Sequence, residues 1–185
     1  QDFKLSRFIV CTDAGLASQK NREFNNKGDR AFITTQSIKQ LKAHLRKWAL
    51  DPTGWTLPGK DKKYDITKIE KEHEKYENEV FYKERWINEN GLEQRIIVTF
   101  SLKYRNYQRH IRKSQIERAK KIIDSNPTKI KKSHPNDYKR FIKKRAYTGE
   151  GEIAENEQYS INEELIAKEE IFDGFYAVCT VLEDE

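Results

Sequence analysis

Asn90-Gly91 stands between two runs rich in aromatic and β-branched residues, VFYKERWI at 80–87 and RIIVTFSL at 95–102. Both members of an Asn-Gly pair accept positive φ, which the tight turn of a twisted antiparallel hairpin requires. The sequence therefore predicts a β-hairpin over these runs, joined through Asn88-Glu89-Asn90-Gly91. Lys83, Glu84 and Arg85 are expected at its outward or solvated positions.

The first fifty residues carry a different rhythm. Residues 7–12 are apolar and β-branched and end at a turn, so they read as a short buried strand. Ser18 to Lys27 reads as a helix, capped by Ser18 and stopped by Gly28. Ala31 to Thr35 is a second strand. Ser37 then caps a helix through Leu50, with Ile38, Leu41, Leu45 and Trp48 on one face. Strand, helix, strand, helix is the pattern of an α/β layer. Asp51-Pro52 and the turn-rich DPTGWTLPGKDKKY mark a boundary, and 65–78 reads as a short helix or an exposed connector.

Beyond the hairpin, Lys103 to Asp124 reads as a long helix with Tyr104, Tyr107, Ile111, Ile116, Ala119, Ile122 and Ile123 as its apolar stripe, ended by Asn126-Pro127. A second basic helix is expected over PNDYKRFIKKRAY, followed by a turn bracketed by Gly149 and Gly151. The remainder reads as two strands, 158–168 and 174–182, joined by Asp173-Gly174, the second buried on both faces. Strands 7–12 and 174–180 could lie side by side in one sheet, which makes residues 52–168 an insertion into it.

Composition narrows the class. Charged and hydrophobic residues each make up 36%, and nine Phe, nine Tyr and three Trp supply core material that a disordered chain lacks. No apolar stretch approaches the ~18 residues of a membrane span, and no signal-peptide pattern opens the chain. Cys11 and Cys179, the only cysteines, both sit in apolar runs. They read as buried thiols in a reducing, cytoplasmic setting. There is no Met, so the chain is expected to be a piece of a longer protein.

Charge is unevenly spread. Residues 102–145 hold 16 Lys and Arg against Glu117, Asp124 and Asp137, whereas 146–185 hold twelve acids and one base, Lys168. The basic block is a candidate footprint for nucleic acid, or a solvated helix balanced by its acidic neighbour. Trp48, Trp55 and Trp86 read as core or boundary packing.

The four histidines show no ligand-like spacing, and there is neither a phosphate-cradling glycine loop nor a glycine-flanked nucleophilic serine. That leaves Asp13, just past the end of the first strand, where open α/β sheets place functional groups. Asp13 either binds a metal there or opens the turn at Ala14-Gly15.

Taken in order, IVCTDAGLASQKNREF, AFITTQSIKQLKAHL, QRIIVTFSLKYRNYQRHIRKSQIERAKKII and KEEIFDGFYAVCT resemble the DDE transposases of bacterial insertion sequences. The branch is the one with a long insertion before the catalytic glutamate. DAGLAS and FDGFYAVCT are the most specific pieces. The resemblance implies a partial ribonuclease H-like sheet at 1–51 and 169–185, interrupted by an α+β insertion domain at 52–168 with the hairpin and basic helices. The fold class is thus α/β, α+β overall. It implies two Mg²⁺ or Mn²⁺ ions held by two aspartates and a glutamate, catalysing in-line cleavage and transfer of DNA strands. By position Asp13 matches the second aspartate. The first is expected upstream of residue 1, and the glutamate on a helix after the last strand. Glu183, Asp184 and Glu185 come too early for it, and Asp173 reads as a turn residue.

On this resemblance the chain is the central fragment of a transposase, inactive by itself, and its partners are double-stranded transposon ends and a second copy on the paired ends. Arg105, Arg109, Arg112 and Lys113 on one helix, and Lys139, Arg140, Lys143, Lys144 and Arg145 on the next, are expected to contact phosphates. Two other readings stay open: a non-catalytic nucleic-acid-binding module resting on the basic block alone, and a decayed transposase kept for its interactions.

Overall fold

A computed structural model of the chain describes residues 8–125, 130, 134–147 and 156–183. The fold is mixed α+β, with a five-stranded sheet and a separate two-stranded one. The chain divides into two compact units, Gln1–Arg105 with Gly174–Glu185, and Asn106–Asp173. This differs from the expected division at 51/52 and 168/169. The predicted hairpin does not join an insertion; it pairs into the main sheet, and backbone pairing holds 81–100 with the first unit.

In the first unit, β1 (Phe8–Thr12) and β2 (Arg30–Thr35) run parallel, joined by α1 (Gln19–Asn25). Ser18 caps α1 by accepting from the Asn21 amide at 3.3 Å, and Gly28 leaves the helix at φ +63°. The predicted helix 37–50 is broken. A 3-10 turn at Ile38–Gln40 is followed by extended backbone at Leu41 and Lys42, and α2 (Ala43–Leu50) starts there. Ser37 makes no side-chain cap bond, and the backbone turn lets Ile38, Leu41 and Leu45 all be buried. Residues 65–78 form two short helices, α3 (Ile66–Lys71), capped by Asp65, and α4 (His73–Tyr76).

The hairpin is present as β3 (Phe81–Glu89) and β4 (Leu92–Phe100). Its turn has Asn90 at φ 52° and Gly91 at φ 87°, and the Gly91 amide donates to Asn88 Oδ1 at 3.0 Å. The last strand, β7 (Phe175–Thr180), lies between β2 and β4 and is antiparallel to both, giving the order β1-β2-β7-β4-β3. β1 and β7 therefore share the sheet but are not neighbours, since β2 separates them.

One face of this sheet is the core. Phe32, Ile96, Val98, Phe100, Ala177 and Cys179 are buried, and Trp55 closes on Phe100 and Phe175 with ring centroids 6.0 and 5.7 Å away. Each Phe, Ile or Val among them contributes about 1.5–3 kcal/mol by leaving water. The other face is half-exposed, with Tyr176 and Trp86 partly in solvent, so β7 is not buried on both sides. β1 is an edge strand, with Phe8 and Ile9 exposed and Cys11 exposed against expectation. An apolar run marks a strand but not which of its faces is covered. Cys179 is buried as expected, and burial pushes its thiol up to about 11.

Lys83 departs furthest from the hairpin reading. It is 7% exposed, because β3 turns it onto the core face with Phe81, opposite Val98. Its Nζ donates to the Asp51 carbonyl at 2.8 Å and lies 4.5 Å from the Trp55 ring centre.

In the second unit, α5 (Leu102–Ser125, whose first turn belongs to the first unit) buries Ala119 against Phe141, Ile142 and Ile166, with Ile116, Ile122 and Ile123 alongside. The upper part of the predicted stripe, Tyr107 and Ile111, is exposed. The second basic helix is not formed. After Asp137 caps a short 3-10 turn at Tyr138–Phe141, the chain becomes β5 (Ile142–Tyr147), paired antiparallel with β6 (Asn156–Ile161). The strand expected over 158–168 is formed only as far as Ile161, within β6. Asn162 accepts from the Leu165 amide at 3.2 Å and starts α6 (Glu163–Glu170) with two acids in its first turn. Asp173-Gly174 is a turn, as read, but it leads from a helix into β7 and not between two strands. The turn expected at Gly149 and Gly151 and the stop at Asn126-Pro127 lie outside the described residues.

Candidate carboxylate site and nucleic-acid interface

Asp13 follows the last residue of β1, at the carboxyl end of a parallel pair in the same sheet as β7. Its Oδ1 accepts from the Gly15 amide at 3.0 Å and the Leu16 amide at 3.3 Å, capping a 3-10 turn at Ala14–Leu16. A methyl group at Gly15 would come within 3.3 Å of that oxygen, so the turn fits closely around the carboxylate. The main chain is tied to the sheet as well, since Thr34 Oγ1, which accepts from Thr12 Oγ1 at 2.8 Å, donates to the Asp13 carbonyl at 3.5 Å. The turn role is therefore filled, while the carboxylate remains exposed.

Beside this turn lies a cavity of about 470 Å³, lined among others by Ala14, Gly15, Gln36 and Gln94. Arg22 reaches it from α1. It is 6% exposed and donates to Gln94 Oε1 at 3.0 Å and Gln36 Oε1 at 2.5 Å. Both acceptors are neutral, and its Nε has no partner. Amides satisfy the Arg22 cation, while the Glu89 carboxylate, which accepts from Gln94 Nε2 at 3.2 Å, lines the same cavity. Sequence reasoning passed over Arg22, since one arginine in a polar helix carries no signal until the sheet supplies Gln36 and Gln94.

No group of three His, Cys, Asp or Glu side chains among the described residues could hold a metal ion. Asp13 does not complete a two-ion site with the described residues, and Glu183 is an exposed residue beyond β7.

The nine cations expected at DNA divide by burial. Arg105 is 7% exposed and paired with Glu70 in the first unit. Arg112, also 7% exposed, makes a two-pronged pair with Asp173, one prong at 2.9 Å, and that bond holds its guanidinium above the usual arginine range. Arg140 is wrapped by Glu169 at 3.0 and 3.1 Å, Gln115 at 2.9 Å and the Asn136 carbonyl at 2.9 Å, over the ring of Phe141. These three arginines do internal work, each held by a carboxylate of the chain, and Arg112 also lines an open groove on α5. Helical spacing selects a face but does not say whether that face is solvent or the next element.

Lys143 pairs with Glu164 at 3.2 Å, and Lys144 pairs with Glu157, whose hydrogen bond raises the Lys144 pKa. The acidic tail thus neutralises part of the basic block within one unit. Lys139 is half-buried beside Asp137, whose side chain its amide reaches at 3.0 Å. Arg109 is half-exposed and reaches Asp173 at 3.3 Å, while Lys113 and Arg145 are exposed. Arg109, Lys113 and Lys120 line one open groove of about 570 Å³ with Ile116, Glu117 and Glu170. Spaced i, i+4 and i+11, they lie along one side of α5 over roughly 17 Å. Lys120 was not singled out in the sequence, because it stands outside the arginine cluster.

No helix among the described residues is long and apolar enough to cross a membrane. Compared with family models, curated proteins and solved structures, the chain matches none of them.

Proposed function

We propose that the chain is the central part of a DNA transposase of the DDE kind, acting in the cytoplasm as a dimer on paired transposon ends. The observation that carries this reading is Asp13 at the carboxyl end of β1, in one sheet with β7, beside a cavity floored by the buried cation of Arg22. The proposal assigns the other two carboxylates to sequence outside these 185 residues. Bound Mg²⁺ or Mn²⁺ would supply the in-line displacement of a DNA strand. The part of this chain would be to fix Asp13 through its turn and to hold duplex phosphates on Arg109, Lys113 and Lys120.

The DNA half is tested on the chain as it stands. Binding to a 30-base-pair duplex should weaken with salt, and Lys113→Ala with Lys120→Ala should lower the slope of log K against log[salt] by about 2. Unchanged binding and slope would remove the groove from the interface. The carboxylate half is tested in the complete reading frame. Asp13→Asn keeps a side chain able to cap the turn, so folding and DNA binding should persist while metal-dependent strand cleavage falls at least ~100-fold. A variant that cleaves as well as the parent would favour the second reading, a binding module in which Asp13 only caps a turn.

A further inference from the structure

We propose that Lys83 is a covalent attachment point for a phosphate-bearing aldehyde that enters the cleft between β3 and the loop at 53–63. The cleft has a volume of about 640 Å³, room for one such molecule, and Lys83 lines it together with Lys60, Lys63, Thr56 and Tyr82.

Three features of the site set Lys83 apart. First, its amine is held in place. Nζ donates to the Asp51 carbonyl at 2.8 Å and packs against the rings of Trp55 and Trp48, 4.5 and 5.4 Å from their centres. Second, no carboxylate among the described residues pairs with it. Asp51 turns its Oδ1 to the amide and hydroxyl of Thr53 at 2.8 and 2.7 Å, and Glu84 pairs with Arg95 at 3.5 Å. Third, Lys63 Nζ stands 3.5 Å from Thr56 Oγ1 on the cleft wall, and Lys60 is exposed nearby. These two cations suit a phosphate, whereas Asp61, Asp51 and Glu84, which also line the cleft, disfavour it on their own sides.

Burial brings the Lys83 amine down to about 8, with Asp51 pulling the other way. The two tryptophan faces also favour the charged form, as does the helix end at Asp51. At pH 8 an amine with that pKa is neutral roughly a hundred times more often than an ordinary lysine. The neutral amine attacks the aldehyde carbon through its lone pair. The carbinolamine then loses its oxygen as water, taking both amine protons, and leaves a C=N bond to Nζ. No oxidant or reductant is consumed.

The test uses the whole chain, pyridoxal 5′-phosphate as the probe, borohydride to fix the imine, and peptide mapping by mass. At pH 8 and substoichiometric probe, Lys83 should carry at least ten times more label than any other lysine, with labelling half-maximal near pH 8. Lys83→Arg should lose it. Lys60→Ala with Lys63→Ala should erase the advantage of the phosphorylated probe over pyridoxal itself. Label spread over exposed lysines such as Lys60 and Lys63, with Lys83 unmodified, would overturn the proposal. The map of the unmutated chain decides this even if Lys83→Arg does not fold.

Discussion

Replacing Asp173 by alanine should destabilise the second unit by about 3–5 kcal/mol, the usual cost of orphaning a buried charge. Arg112 loses both prongs of its pair, and the Glu170 carboxylate 3.8 Å away is a poor substitute because it is half in solvent. Arg109 loses the same carboxylate. The size of the effect comes less from the worth of the pair than from the stranded guanidinium. Arg112→Met combined with Asp173→Ala should therefore recover most of the loss, since it removes both charges together. Urea unfolding of the chain measures it through the shift in midpoint at constant m-value. A single variant as stable as the parent would show that water reaches Arg112 freely.

Gly174→Ala should cost about 2–6 kcal/mol, the sum of left-handed backbone strain and an overpacked contact. At φ +86° an alanine Cβ would stand 2.8 Å from Phe100 Cε2 and 3.0 Å from Arg105 Cβ. Phe100 has no room to retreat, because it is held between Trp55 and Phe175. Gly59 provides the comparison. Its φ is +71° but nothing lies within 4 Å, so Gly59→Ala should pay only the backbone part, about 1–3 kcal/mol. Equal melting shifts for the two would mean that the packing around Phe100 gives way.

Local chemistry made much of the fold legible. Asn90-Gly91, Ser18 and Gly28 each act within a few residues, and the elements they bound stand where the sequence put them. Failures came where tertiary pairing decided. IKKRAY reads as helix from its charge, but as β5 it pairs with β6, and Phe141 and Ile142 bury themselves at its start. ELIAK reads as strand only until Asn162 is recognised as a cap.

The candidate site was legible to a similar depth. Asp13 could be picked out because a strand that stops on a carboxylate is a local event. Arg22, Lys83 and the inward turn of Arg105, Arg112 and Arg140 could not, because partners that fix them lie far along the chain: Glu169 for Arg140, 29 residues away, Asp51 for Lys83, 32 away, Asp173 for Arg112, 61 away, and Gln94 for Arg22, 72 away. Charge runs report how many cations a segment carries. They do not say which of them face water.

The hairpin turn also bears on how the protein ages. Asn-Gly is the dipeptide most prone to closing on itself: the glycine nitrogen attacks the asparagine side-chain carbonyl and expels its nitrogen as ammonia, and water then opens the resulting succinimide to isoaspartate. In the folded chain the Gly91 N–H is committed to Asn88, and the Asn90 amide is anchored on Gln19. The nucleophile and the side chain that carries its target are thus each engaged with another residue in the folded turn. Chemical damage at Asn90 would accumulate chiefly in molecules whose hairpin has opened, so isoaspartate content in a stored sample becomes a clock for how often β3 and β4 come apart.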